Sequence, residues 1–193
     1  MIMTDYYSGI GSRDTPDHIL NIMRHIGAYL ATQGWVLRSG AAKRADTSFE
    51  EGALHVEGET EIYLPWKGFN NHKSELHPSK YPFSTKEKEF TAKFHPAWNK
   101  CSPSVRLLHQ RNTRIMIGLE AVHGEMVQAS KFVLCWTPGG QLKGGTAQAL
   151  RIATTLNIPI INLGFATTAQ ELEALVLKVD ELQAQLKSKR IIG

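Results

Sequence analysis

The sequence predicts an α/β chain: one doubly wound, mostly parallel sheet with helices on both faces. Three observations carry this. Short apolar runs alternate with longer segments of helical periodicity. The runs are short and mostly apolar rather than alternating, as in strands buried on both faces. Two of them end on glycine clusters that lead into helices: Ser8-Gly9-Ile10-Gly11-Ser12-Arg13, and Pro138-Gly139-Gly140 followed by Gly144-Gly145-Thr146.

Taken in order, Tyr6 to Ile10 reads as the first strand. Thr15-Pro16-Asp17 then starts a helix, with a capping hydroxyl, a proline in the first turn and an acid at the positive end. Ile19, Ile22, Met23, Ile26, Tyr29 and Leu30 recur at helical spacing until Gly34. Trp35 to Ser39 is the second strand, Ala45 to Val56 the second helix, and Glu61 to Leu64 the third strand, closed by Pro65. From residue 66 to 103 periodicity is weak. Lysines, histidines and aromatics alternate with prolines, which predicts a long insertion with one short helix around Lys86 to Lys93. Order returns with a helix over Val105 to Val122 and a strand over Lys131 to Trp136. A helix over Thr146 to Leu156 and a strand over Pro159 to Leu163 follow. Thr168-Ala169-Gln170-Glu171 has the capping-box pattern and opens a last helix over 168–188, ahead of a short tail at Ile191 to Gly193.

The chain of 193 residues is the size of one domain, and 42% hydrophobic residues suffice for a packed core. No apolar run approaches the roughly 20 residues that span a bilayer, and the N-terminus lacks the pattern of a secretory leader. Cys101 and Cys135 have no metal-ligand spacing. They read as free thiols in a reduced, cytoplasmic protein. His72, His77 and His95 are scattered, so neither metal nor cofactor is expected. The net charge of +4 suits an anionic partner but also suits an ordinary enzyme.

The glycine turns define the candidate site. Crossovers in a parallel sheet place every strand-to-helix turn at one edge, where ligands bind. Backbone N–H groups at helix N-termini are natural phosphate ligands. Gly9, Gly11, Ser12 and Arg13 form a first candidate phosphate loop. Gly139, Gly140, Lys143, Gly144, Gly145 and Thr146 form a second. Ser39, Gly40, Lys43 and Arg44 read as a cationic rim or as a solvated loop. Asp46 reads as a partner for a sugar hydroxyl or as a helix cap.

Four stretches in order resemble the DNA-processing family called DprA or Smf. They are Tyr7 to Arg13, Ser39-Gly40-Ala41-Ala42-Lys43-Arg44-Ala45-Asp46, Gln110-Arg111-Asn112-Thr113-Arg114-Ile115-Met116-Ile117-Gly118-Leu119, and Lys143-Gly144-Gly145-Thr146-Ala147. The resemblance covers about Tyr6 to Leu163. It implies a single Rossmann-like domain, a pocket approached by Arg111 and Asn112, binding of single-stranded DNA or a nucleotide without catalysis, and a homodimer. The chain departs from the family at Arg44, where the motif has glycine.

The chain is also similar to the related lysine-decarboxylase-like or LOG proteins, which are nucleoside-monophosphate phosphoribohydrolases. It carries Gln148 and Ala149 where their loop carries glutamates. For an N-glycosidase of this kind the nearest carboxylates to a glycine turn are Glu50 and Glu51. A third reading is a sensor or sponge for a small nucleotide signal. The insertion, with Trp66, Phe69, Phe83, Phe90, Phe94 and Trp98 among lysines, reads either as a base-stacking surface or as a loop pinned to the core by its aromatics.

Overall fold

The structure, a computed structural model, describes residues 4–119 and 128–191, with side chains through residue 188. Five strands form one sheet: β1 (Asp5–Gly11), β2 (Trp35–Ser39), β3 (Thr60–Ile62), β4 (Val133–Trp136) and β5 (Ile160–Asn162). Their order is β3-β2-β1-β4-β5, and every pairing is parallel. The expected Rossmann-like architecture is present, and the sheet is wholly rather than mostly parallel.

Both faces are covered, which is why the strands are apolar on both sides. Helices α1 (Asp17–Thr32) and α2 (Ala45–His55) pack on one face around Tyr7, Met23, Leu30, Trp35, Leu37 and Phe49. On the other face lie α4 (Pro103–Ile117) and α5 (Gly144–Thr155), around Ile10, Ile115, Met116, Cys135, Leu150 and Ile152. The insertion contributes α3 (Thr85–Lys93), whose Phe90 packs against this second cluster. The last helix, α6 (Ala169–Ile191), returns to the first face and seats Val179 there.

The direction in which strands are added to the sheet reverses between β1 and β4. The crossovers after β1 run toward β2 and β3, and the one after β4 runs toward β5. A crevice opens at the carboxyl ends of β1 and β4, the switch point of such sheets.

Local signals worked unevenly. The Thr168–Glu171 capping box forms, with Glu171 N–H donating to Thr168 Oγ1 and Thr168 N–H to the Glu171 carboxylate. Ser84 and Glu87 form a second box at α3. Thr15 does not cap α1. Its hydroxyl donates to Ser12 O at 2.7 Å, so the residue closes the loop before the helix instead. The third strand ends at Ile62, and the helix expected to reach Val122 stops at Ile117, where Gly118 takes φ +81°. The remainder of that expected span, residues 120–122, lies outside the described residues, as does the tail beyond Ile191. Helix α5 begins two residues earlier than expected, at Gly144.

Candidate functional site at the switch point

A cavity of about 650 Å³ opens at the crevice. Its walls come from the β1–α1 loop (Gly11 to Asp14), the start of α2 (Ala42, Asp46), α4 (Val105, Leu108, His109, Arg111, Asn112), the N-terminus of α5 (Lys143 to Thr146), and Phe69 and His95 of the insertion. Of the expected site residues, Gly11, Ser12, Arg13, Asp46, Arg111, Asn112, Lys143, Gly144, Gly145 and Thr146 meet here.

The two loops do different work. At α5 the cap residue Lys143 provides no side-chain bond to the helix, and among the described residues its first N–H groups, at the cavity wall, have no acceptor. Gly144 and Gly145 are exposed there, and Gly144 takes φ +69°, a conformation that favours glycine. In the β1–α1 loop the amides are largely engaged. Ser12 N–H donates to Trp136 O and Asp14 N–H to Ser12 Oγ. The Arg13 N–H has no acceptor among the described residues, and its side chain is exposed at the mouth. The loop therefore offers one amide and one guanidinium rather than a ring of amides.

Arg111 is the central cation. It is buried, donates from Nη1 to Gly40 O, and leaves Nε without a partner among the described residues. The Phe69 ring covers it, with the guanidinium carbon 5.7 Å from the ring centroid. Burial pulls its pKa below the ordinary arginine value, Asp46 opposes that, and Arg13 adds to it.

Asp46 neither caps α2 nor reaches outward as a surface acid would. Its Oδ2 accepts Gly40 N–H at 3.1 Å and Ala42 N–H at 3.3 Å, and Gly11 N–H also faces the carboxylate. Burial pushes its pKa up to about 6, against the lowering effect of Arg111 and these amides. Asn112 donates to Gly145 O and Gln148 Oε1, so it anchors the α5 terminus rather than reaching for a ligand.

Several expected residues lie elsewhere. Gly9 is a packing glycine, because a Cβ there would meet the Phe49 ring at 2.7 Å. Gly40 makes room for Arg111, since its Cβ would fall 2.2 Å from Nη1. Ser39 is buried and donates to Gly9 O. Gly139 and Gly140 do not line the cavity, and Gly140 lies against the Phe165 ring.

Lys43 is exposed and outside the walls. Arg44 turns to Thr15 O and Asp17, and it holds φ +79° at the position where the resembled motif has glycine. Glu50 is buried beside His72, Oε1 to Nε2 at 2.8 Å, and Glu51 pairs with Arg24, so neither carboxylate reaches the cavity. Arg111 and Arg114 do not act from one face. Arg114 is clamped by Glu87, Tyr81 O and Pro82 O, over the Phe83 ring.

Sequence reasoning missed Phe69, His95 and His109 as wall residues. Burial and the neighbouring His95, Arg111 and Arg151 push His109 down to about 4, with Gln148 opposing, so its ring is neutral at pH 7. The insertion aromatics mostly pin the segment to the core. Phe69 and Phe83 are buried, and Phe90 and Phe94 pack together at 4.9 Å.

Fold and site together define a class: an α/β chain with a cationic, half-enclosed cavity at its switch point. No family model matches the chain, and no curated protein matches it. Solved structures do. A structure of the Moco carrier protein of Chlamydomonas reinhardtii superposes with a TM-score of 0.51 at 17% identity, covering 94% of this chain and 99% of that one. A second structure, of the molybdenum cofactor carrier protein from the same organism, gives 0.47 at 18% identity, covering 92% and 86%. At such identities the likeness speaks to fold. No helix among the described residues is long and apolar enough to cross a membrane.

Proposed function

We propose that this chain binds one small phosphate-bearing ligand of the nucleotide class in the switch-point cavity, without catalysis. The observation that carries the reading is the convergence of Arg111, Arg13, Lys143 and the uncapped α5 N-terminus on one cavity. A buried guanidinium with an unpaired Nε is costly unless an anion meets it. About 650 Å³ lies within the range of small-molecule sites. The same geometry favours a mononucleotide over a DNA strand, because Phe69, Phe83, Phe90 and Phe94 are committed to the core and only Trp66 among the insertion's large aromatics is exposed. The DprA-like stretches at Gly11 to Arg13 and Lys143 to Thr146 support the anion reading, since both reach the cavity.

An N-glycosidase reading loses its carboxylates. Glu50 and Glu51 lie away, Gln148 is uncharged, and Asp46 is occupied by backbone amides.

Calorimetric titration with nucleoside monophosphates, a short oligothymidylate and molybdenum cofactor separates the possibilities. The expected result is one mononucleotide per chain, with affinity weakened in Arg13→Ala and Lys143→Ala and falling with salt. Preference for the oligonucleotide, release of free base, or cofactor binding alone would each overturn the reading in a different direction.

A further inference from the structure

One cluster on the cavity wall is not explained by anion binding. His95 follows α3, Cys101 follows the short turn Trp98–Lys100, and His109 lies on α4. One ligating atom from each lies within 4.8 Å of the others. Cys101 Sγ is 3.5 Å from His95 Nδ1 and 3.8 Å from Nε2. The two imidazoles are tilted against each other with centroids 4.5 Å apart.

These separations have a chemical meaning. Zinc bonds of about 2.3 Å to sulfur and about 2.0–2.1 Å to nitrogen, at a tetrahedral angle, put S and N about 3.6 Å apart. Cys101 and His95 already stand at that spacing. A second observation is independent of it. His109 is buried at 6% exposure, and its Nδ1 has no hydrogen-bond partner among the described residues. Leaving such an atom unpaired costs about 1–3 kcal/mol.

We infer that His95, Cys101 and His109 form a site for a zinc-class divalent ion, with a coordination position left open toward the cavity that both histidines line. Two imidazoles and a thiolate select zinc, cobalt or their neighbours over magnesium and calcium. Three protein ligands leave a place for water or a ligand oxygen. Binding displaces a proton from Cys101. It also ends two contacts, Cys101 S–H to Ala97 O at 3.5 Å and Ala97 N–H to His95 Nδ1 at 3.2 Å, the second whichever ring nitrogen binds, because a metal on Nε2 leaves the ring proton on Nδ1. The half-buried position of His95 leaves it room to adjust.

The test uses the full chain, stripped with chelator under reducing conditions, and needs no phosphate, so it stands or falls apart from the proposed function. Cobalt(II) is titrated and the absorption spectrum recorded, followed by displacement with zinc. The expected result is one cobalt per chain, with intense tetrahedral d–d bands and a thiolate-to-cobalt charge-transfer band, both lost on adding zinc. Cys135 is fully buried in β4, so a thiolate band reports Cys101. Cys101→Ser should abolish that band and weaken zinc by more than the roughly 10–100-fold that loss of an outer hydrogen-bond partner costs. His72→Ala, at a histidine outside the cluster, should leave both unchanged. A wild-type spectrum without a thiolate band, or one insensitive to Cys101→Ser, overturns the inference even if the histidine variants fail to fold.

Discussion

Asp46 gives the sharpest quantitative test of the site. Its carboxyl is 3% exposed, and its pKa is raised from 3.8 to about 6. An acid with a raised pKa binds its proton more tightly in the folded chain than in the unfolded one. Its contribution to stability is complete below about pH 4 and is lost as pH rises through about 6. The difference between 3.8 and about 6 corresponds to about 3 kcal/mol, at about 1.4 kcal/mol per pKa unit. Asp46→Asn removes the titration and keeps an oxygen that can face Gly40 and Ala42. It also removes the charge that develops beside Arg111 as pH rises, an attraction already contained in the pKa of about 6. Urea unfolding of wild type and variant from pH 4 to 7.5 isolates the effect, because every other carboxylate cancels in the difference. Wild-type stability minus variant stability should fall by about 2 kcal/mol between pH 4 and 7, the rest of the change lying below pH 4, and then level off. A difference that stays flat, or rises with pH, would refute the claim that this carboxyl is desolvated and carries a charge at neutrality against resistance.

Three further outcomes follow from the same geometry. Sulfate, whose charge does not change over this range, should bind roughly 3–10-fold more weakly to Arg13→Ala and Lys143→Ala and equally well to Lys43→Ala, as read by calorimetry; the expected losses are those of about one exposed charge-assisted contact each. Gly40→Ala sets a Cβ 2.2 Å from Arg111 Nη1 and should displace the guanidinium, lowering sulfate affinity about tenfold and also lowering the melting temperature, since overpacking a buried site costs about 1–3 kcal/mol. Arg114→Ala leaves Glu87 buried without its cation and should cost about 3–5 kcal/mol in chemical denaturation, whereas the double change Arg114→Met with Glu87→Leu should recover only part of that loss, because it also breaks the Ser84–Glu87 capping box and strips Tyr81 O and Pro82 O of their donor.

Much of the fold was legible because buried parallel strands must be apolar on both faces, and the runs at Tyr6 to Ile10, Trp35 to Ser39 and Lys131 to Trp136 are. The edge of the sheet that carries the site was legible for a topological reason, since crossovers send every strand-to-helix turn to one side. What individual turn residues do there was not. Glycines that approach a ligand and glycines that admit a neighbouring side chain look alike in sequence. Gly144 is of the first kind; Gly9 and Gly40 make room for Phe49 and Arg111. The carboxylates went wrong for a similar reason. Glu50 stands near a glycine turn, but burial beside His72 takes it out of play, while Asp46 gains its character from burial and from amides of the turn that leads into its own helix. The trio of His95, Cys101 and His109 carries no motif, because its spacing is set by a short turn and the start of a helix rather than by one repeating element.

Helix α4 ties these features together. From His109 to Arg114 it buries six consecutive residues, five of them polar or charged before Arg114 is counted, a pattern that no amphipathic helix shows. Burying so much polarity is unfavourable unless each group is met. Each direction around the helix has its own partner. Arg111 turns to Gly40 and the cavity, Asn112 to the α5 terminus, Thr113 to Thr91 of α3, and Arg114 to Glu87 of the insertion. The helix is therefore held in rotation by four polar contacts that hydrophobic packing, being non-directional, cannot supply. A rotation that relaxed any one contact would strain the others. The cavity wall supplied by the insertion, Phe69 and His95, and the wall supplied by α5 are thus fixed relative to one another through a single helix. This explains why the insertion, irregular as it is, belongs to the site rather than to the periphery.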